Sequence, residues 1–500
     1  MSTISQERAE EPLILAIDIG TSSVRTILFD RQGRAVQGIE SRQGHEVRTR
    51  PAGASEADPD ALLELVFHGL DQMGSRAGHL AGKIGGVAAC TFVNNILGMD
   101  ESNRVVIPLT TYADTRADAE VAGLKADFDE TTVHDRTGCR FHPSYLPARF
   151  RWLARTQPDL FRRAARFLSM GEYLEWKLFG EAAVTYSVAS WSGLLNRSRL
   201  EWDGELLAGL PVRAEQLSPL TDARVPRHGL RPEFAARWPM LRDLPWFPAV
   251  GDGATANIGS GCVSPARVAL TVGTTSALRV VLTDPPDHLS PGLWCYRVDG
   301  RRSLLGGALS EGGSVFAWMK ANLHLENGPE FDASVAGMEP DGHGLTILPF
   351  LAGERAPGWA GDARATIHGL TLATTPRDIL RAGLEAVAYR IARVFDLLRP
   401  VLPADPQVIA SGGALLHSPA WLGIIADVLG QPVSISQVQE ASARGSALLA
   451  LEALGALAGL EDAPDFVSVP RYPDASKHAR YRLAIERQHA LYEKLVKANG

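Results

Sequence analysis

Two acidic residues and two hydroxyl-rich loops carry most of the chemistry that can be read in this chain. The first loop lies in Leu15-Ala-Ile-Asp18-Ile-Gly20-Thr21-Ser22-Ser23-Val24-Arg25, the second in Ala269-Leu-Thr271-Val-Gly273-Thr274-Thr275-Ser276-Ala-Leu-Arg279. Each is an apolar run, a Gly-Thr-(Ser/Thr)-Ser turn and a second apolar run, the pattern of a hairpin tipped with small hydroxyl residues. Glycine lets a phosphate approach the backbone and the hydroxyls add donors, so such a tip suits an anion. Taken singly, either loop reads as an ordinary turn. Their duplication, with an acid on only one copy, points instead to two related halves gripping a polyphosphate. Asp18 ends an apolar strand, where a carboxylate is costly to bury without a cation or donors. Mg²⁺, held directly or through water, is the simplest partner.

The second acid stands in Gly251-Asp252-Gly253-Ala254, after a strand and before a run of small residues. It reads either as a helix cap or as a general base that takes a proton from a hydroxyl nucleophile. Ile409-Ala-Ser411-Gly412-Gly413-Ala414-Leu-Leu-His417 is a strand–Gly-Gly–helix junction, either a tight turn or a flat surface for a purine or an α-phosphate. Asp114 and Arg116 follow a strand and either face a polyol or pair with each other. Glu354 and Arg355, adjacent in Leu351–Pro357, read as a domain-internal salt bridge. No Walker-type phosphate loop occurs, and the thirteen histidines form no metal-ligand pattern.

The elements that must position these groups follow from periodicity. After the first hairpin, a turn through Gly33 enters a third strand. Asp58-Pro59 opens a helix over 58–80, a buried strand covers Ile84–Cys90, and residues 147–180 read as mostly helical. A loop-rich stretch over 200–250 ends in a strand at Pro248–Asp252. Beyond it, strands are expected at 268–283 and 293–308, and helices at 312–323, 376–399, 442–458 and 475–497. The small residues Ala443, Gly445 and Ala447 allow a close backbone approach.

Five hundred residues exceed one core, so two domains of about 250 residues are expected. A net charge of −7, with no basic cluster, argues against a nucleic-acid partner. No apolar run is long enough to span a bilayer, and four scattered cysteines read as reduced, buried thiols. A cytoplasmic α/β protein is expected, acting on a small molecule; a homodimer is open to it.

In their order these segments resemble the FGGY family of carbohydrate kinases, ATP-dependent enzymes of the actin/hexokinase/chaperone-ATPase superfamily, over roughly 13–455. The motifs are Asp18–Ser23 with Arg25, Asp114-x-Arg116, Gly251-Asp252-Gly253, Gly273–Ser276, the Gly307–Trp318 stretch, Gly353-Glu-Arg-x-Pro357 and Ser411–Ala414. The resemblance implies an α/β fold of two ribonuclease-H-like (actin-like ATPase) domains with an interdomain cleft. Residues 11–255 would carry the sugar side, the first phosphate loop and the catalytic aspartate, and 256–500 the ATP side. It further implies ATP with its adenine against Gly412 and Gly413, with Gly313 and His417 as further nucleotide contacts. Gly20, Thr21, Ser22 and Ser23 face Gly273, Thr274 and Thr275 across the phosphates, with Mg²⁺ near Asp18 and Arg25 supporting the first loop. Asn94, Asp114, Arg116, His142 and Ser144 line the acceptor, and Asp252 is the base.

Within the family, Thr137–Trp152, Glu172–Gly180, Tyr186–Asn196 and Phe350–Trp359 look most like gluconate kinases, which implies D-gluconate to 6-phosphogluconate. A carboxylate acceptor needs a cation, and Arg116 and Arg355 are the candidates. Phe92-Val93-Asn94-Asn95 departs from the His or charged pair that many relatives place on the sugar. Xylulose, ribulose, erythritol or sedoheptulose therefore stand as alternative acceptors, and a non-catalytic nucleotide switch as a different class.

Overall fold

In the computed structural model, which describes residues 2–326 and 328–497, each glycine-tipped hairpin belongs to its own six-stranded sheet. The first sheet contains β1 (Thr3–Ile4), β2 (Leu13–Ile19), β3 (Ser23–Phe29), β4 (Ala35–Gly44), β5 (Ile84–Thr91) and β6 (Trp246–Gly251), in the order β1-β4-β3-β2-β5-β6. The second contains β7 (Arg267–Val272), β8 (Ser276–Leu282), β9 (Trp294–Arg297), β10 (Ser303–Leu309), β11 (Gln407–Ser411) and β12 (Val433–Ile435), in the order β9-β10-β8-β7-β11-β12. Without its extra edge strand, each sheet is an antiparallel meander whose first strand continues into two parallel strands. That is the ribonuclease-H-like order, repeated. β2 is buried along its whole length, which explains its unbroken apolar run up to Asp18.

The helices that matter here are α1 (Pro59–Arg76), α2 (Asp252–Gly259), α3 (Gly313–Asn322), α4 (Pro376–Leu398), α5 (Gly413–Leu416), α6 (Ala441–Ala453) and α7 (Ala475–Leu495). Asp58 caps α1 through the N–H groups of Asp60 and Ala61, and Thr375 with Asp378 forms the capping box of α4. α2 and α6 lie between the two sheets. Ile14 and Ile27 of the first sheet share a core there with Ile258, Leu448, Val281 and Tyr296. The two helices touch backbone to backbone. A Cβ on Gly259 would stand 1.8 Å from the Ala441 carbonyl oxygen, and one on Gly445 1.8 Å from that of Thr255. The small-residue stripe in α6 serves this contact.

The chain between β5 and β6 folds as a lobe around a four-stranded sheet, which includes Ile96–Met99 and Arg166–Leu168 and takes one edge strand, Glu56–Ala57, from the segment before α1. The latter strand interrupts the expected helical stretch over 147–180, because it pairs with the former. The lobe also grips the other half. The Cys295 N–H donates to the Gly138 carbonyl at 3.0 Å, the Leu289 N–H to Asp135 at 2.8 Å, and the Gly300 N–H to Asp222 at 2.9 Å. The strand segment expected over 293–308 is a hairpin, β9 and β10, because a turn at Asp299–Arg302 reverses it; the Arg302 N–H donates to Asp299 at 2.7 Å. The expected division at 255/256 falls inside α2; a division within 260–266 keeps that helix whole, and we propose it there. Among the described residues no helix is long and apolar enough to cross a membrane, and the four cysteines are free and buried.

Candidate active site

Strand register brings the two acids together. Asp18 and Ile19 at the end of β2 pair with Cys90 and Thr91 of β5, and Thr91 pairs with Gly251 at the end of β6. Asp252, which opens α2, therefore lies two strands from Asp18, about 10 Å across the sheet, at the carboxyl ends of parallel strands where ligands bind in open α/β sheets. Asp18 is held by Arg25, its register partner at 3.2 Å, and by the Cys90 thiol, which donates to it at 3.3 Å. Burial raises the Asp18 carboxyl, and Arg25 opposes that shift. Arg25 also reaches Glu440 of the second half at 2.9 Å.

Asp252 accepts from the Gly253 N–H at 2.7 Å, and its carbonyl accepts from Ser442 at 3.4 Å. Its carboxyl is pushed up to about 7, first by burial and then by the negative charge of Asp18, against the Gly253 N–H and Arg279. The flanking glycines have a steric reason: a Cβ on Gly251 or Gly253 would meet the indole of Trp191 at 3.0 Å. Trp191 in turn stacks on Tyr296 of β9 with ring centroids 3.7 Å apart.

Both loops take the expected hairpin form. The Gly20 N–H donates to the Ser23 carbonyl at 3.0 Å and the Gly273 N–H to that of Thr275 at 2.9 Å, which leaves Ser22, Thr274 and Thr275 exposed at the tips. Thr271, in the place of Asp18, meets Ser411 at 3.1 Å. Gly313 props the second loop, donating its N–H to the Gly273 carbonyl at 2.7 Å; a Cβ there would stand 2.7 Å from the same oxygen. Gly412 has φ +97° and lies against Val272, while Gly413 opens α5 with free space where a Cβ would stand. His417 bonds to the Gly413 carbonyl at 2.7 Å and lines a cavity of about 780 Å³ walled by Phe316, Phe331, Leu384 and Ile424.

On the acceptor side the residues separate. Asp114 and Arg116 pair with each other at 2.6 Å, Arg116 also meets Glu56 at 2.7 Å and lies 4.4 Å over the Trp152 ring. Arg116 thus already has two carboxylate partners in this cluster. Asn94, with φ +55°, donates to the Ser144 carbonyl at 3.4 Å, and its own carbonyl accepts from the buried Arg149 at 2.6 Å. His142 bonds through Nδ1 to the Ser144 hydroxyl at 2.5 Å, and burial pushes its pKa down to about 3, so the ring is neutral. The Tyr145 and Tyr296 hydroxyls meet at 2.5 Å across the seam.

Glu354 and Arg355 do not pair with each other: Glu354 bonds to Arg390 and to the Tyr492 hydroxyl. Trp191 Nε1, Arg279 Nε, Arg355 Nε and Trp359 Nε1 are buried N–H donors with no partner among the described residues. Reading the sequence missed Trp191, Arg279 and Trp359 as site residues; the glycines around Asp252 were the only local trace of Trp191.

Asp341, His343 and Glu385 cluster elsewhere with metal-like spacing. Glu385 already accepts from Arg381 at 2.6 Å, Tyr481 at 2.9 Å and His343 at 3.0 Å, which makes this a filled structural network.

Comparison with known proteins agrees with this architecture. Residues 13–259 match the family model for the FGGY family of carbohydrate kinases, N-terminal domain, and residues 268–454 match the C-terminal domain. The gluconokinase of Bacillus subtilis (strain 168) is 26% identical over 465 residues, covering 91% of this chain and 90% of that protein. A glycerol kinase of Stenotrophomonas maltophilia (strain K279a) is 30% identical over 458 residues, covering 88% and 90%. The crystal structure of gluconate kinase from Lactobacillus acidophilus superposes with a TM-score of 0.89 at 24% identity, over 97% of this chain and 98% of that one. The chain belongs to the FGGY family of carbohydrate kinases. It has the two-domain α/β fold of the actin-like ATPases and is a phosphotransferase that acts on a sugar hydroxyl, a family activity that implies ATP.

Proposed function

We propose that this kinase transfers the γ-phosphoryl group of ATP to the primary hydroxyl of a sugar acid, D-gluconate, with Asp252 as the base. The observation that carries this reading is the placement of Asp252 two strands from Asp18 at the carboxyl ends of parallel strands, its carboxyl pushed up to about 7 and bonded to the Gly253 N–H. A base poised there is ionised often enough at neutral pH to accept a hydroxyl proton as the oxygen attacks phosphorus. Gly20–Ser23 and Gly273–Thr275 face the phosphates from two sides, and Gly313 keeps the second loop in shape. His417 borders the cavity walled by Phe316 and Phe331, which suits an adenine. Carboxylate oxygens are the donor type that Mg²⁺ takes, and the excess negative charge shared by Asp18 and Asp252 gives the ion a reason to bind near Asp18. When bound, it would neutralise phosphate charge; positioning and charge neutralisation supply most of the rate in phosphoryl transfer.

The test is coupled ADP release with ATP and Mg²⁺ across aldonates, ketoses and polyols, for the parent and Asp252→Asn. We expect gluconate to be the preferred acceptor, and the variant to lose at least about 10²-fold in kcat while still binding ATP. Activity of Asp252→Asn within threefold of the parent overturns the assignment of the base. Preference for a ketose or polyol retains the kinase chemistry and removes gluconate.

A further inference from the structure

Glu354 and Arg355 are consecutive, and the fold sends them in opposite directions. Glu354 turns inward to Arg390 and Tyr492. Arg355 turns towards the seam, where its Nε–H is buried without a partner and where, among the described residues, it forms no salt bridge. Its charge is felt by His142, Tyr145 and Arg279, all around the acceptor side. The one acid it influences there, Glu311, is pushed up to about 8, first by burial, and is therefore mostly protonated at neutral pH. Arg355 is thus a cation facing a site with no counter-charge of its own.

Two further donors stand with it. Trp359, four residues on, has φ +57°, a strained conformation for a tryptophan that persists only where its surroundings fix it. Its Nε1–H is buried without a partner, and its ring meets that of His142 edge-on at 5.7 Å. In His142 the Ser144 backbone N–H donates to Nδ1 at 3.2 Å, which places the proton of the neutral ring on Nε2. The three groups are donors only, one of them permanently charged. A carboxylate only accepts and carries the opposite charge, so it satisfies them; the hydroxyl end of a neutral polyol must also donate, and finds no acceptor among them. Arg279 is not part of this set, because it lies by Gly253 and feels Asp252 most strongly of all charged groups, at the reacting end.

We propose that Arg355, with the indole N–H of Trp359 and the Nε2–H of His142, reads the carboxylate of the acceptor and selects sugar acids over polyols of the same length. The proposal rests on the sugar-acid kinase reading above and assigns its specificity to named groups.

The experiment compares D-gluconate with D-sorbitol, the same six-carbon chain with a hydroxymethyl group in place of the carboxylate. Binding is measured by calorimetry and turnover by ADP release. Arg355→Met should raise the Kd and KM for gluconate about 10- to 100-fold, the loss of a charge-assisted contact, and collapse the gluconate-to-sorbitol ratio. Binding of ATP by the variant certifies its fold, and Arg355→Lys should recover part of the affinity. Trp359→Phe should weaken gluconate by about threefold to tenfold, the range of one neutral hydrogen bond. Parent enzyme that binds sorbitol as tightly as gluconate overturns the proposal, as does an Arg355→Met variant that keeps the parent's ratio. If that variant keeps the ratio while the parent still turns over gluconate, only the carboxylate assignment falls. Selective gluconate binding that Arg355→Met abolishes, with no ADP release from the parent, upholds the carboxylate site and removes gluconate as the phosphoryl acceptor.

Discussion

The Asp18 carboxylate and the Arg25 guanidinium face each other across the first hairpin at 3.2 Å, and Arg25 continues to Glu440, the residue that precedes α6, at 2.9 Å. The acid at the end of β2 is thereby tied to the second half of the chain through one side chain. Its charge also acts on Asp252, where it is the second cause, after burial, of a carboxyl raised from 3.8 to about 7. The two acids are electrically one unit.

A pH dependence follows. Transfer needs ionised Asp252, so kcat/KM should fall as pH drops through about 7. In Asp18→Asn one of the two causes is gone, so the acid limb of whatever activity remains should move to lower pH. Stability runs the other way. Between 3.8 and about 7 the folded state keeps a proton on Asp252 that the unfolded chain has lost, so this group's contribution to stability declines as pH rises through that window. Asp252→Asn should therefore gain Tm relative to the parent between about pH 5 and pH 8. A pH–rate profile and a series of thermal melts check both; an acid limb that stays put in Asp18→Asn removes the coupling.

Arg116 gives the opposite expectation to Arg355. It is bonded to Asp114 and Glu56 and stacked on Trp152, with 14% of its side chain exposed. Removing Arg116 leaves Asp114 without its salt-bridge partner, while Glu56 keeps Arg48; losing one partner costs about 3–5 kcal/mol when the cluster is buried and less at this partial exposure. Arg116→Ala should lower Tm by several degrees and leave the ratio of gluconate to sorbitol turnover as it is in the parent. A selective rise in the gluconate KM would return Arg116 to the acceptor site.

The contrast between these two arginines marks where the sequence could be read and where it could not. The hairpins were legible because glycine, hydroxyl tip and apolar flanks lie within about ten residues and answer to local rules. Asp252 was legible from its glycine neighbours, although the reason for them, the indole of Trp191, comes from 60 residues away. The fate of Arg116 depends on Glu56, brought alongside by a strand pairing between Glu56–Ala57 and Val105–Thr110. The parting of Glu354 and Arg355 depends on Arg390 in α4 and Tyr492 in α7, more than thirty and more than a hundred residues on, and no spacing rule ties either to Glu354. Left-handed backbone at Trp359 has no mark in residue type, whereas at Asn94 it falls on a residue type that tolerates it.

The contact between α2 and α6 supplies the last expectation. α2 begins with Asp252, and α6 begins one residue after Glu440, so any change in their separation acts on both ends of the acid pair. A Cβ at position 445 would stand 1.8 Å from the Thr255 carbonyl oxygen, and the listener across the interface is backbone, which cannot rotate away. The helices must then separate, and overpacking of this kind costs about 1–3 kcal/mol or more. Gly445→Ala should lower Tm by at least several degrees and, where it still folds, depress kcat by displacing Asp252 from the phosphate loops. Gly455→Ala, at the turn that follows α6, is the control: its glycine has φ +72° and nothing within 4 Å of a built Cβ, so it should lose some stability through backbone strain alone and keep the parent's kcat. Thermal melts and kcat for the two variants decide the matter. Equal effects on kcat would mean that the distance between α2 and α6 does not govern where the base sits.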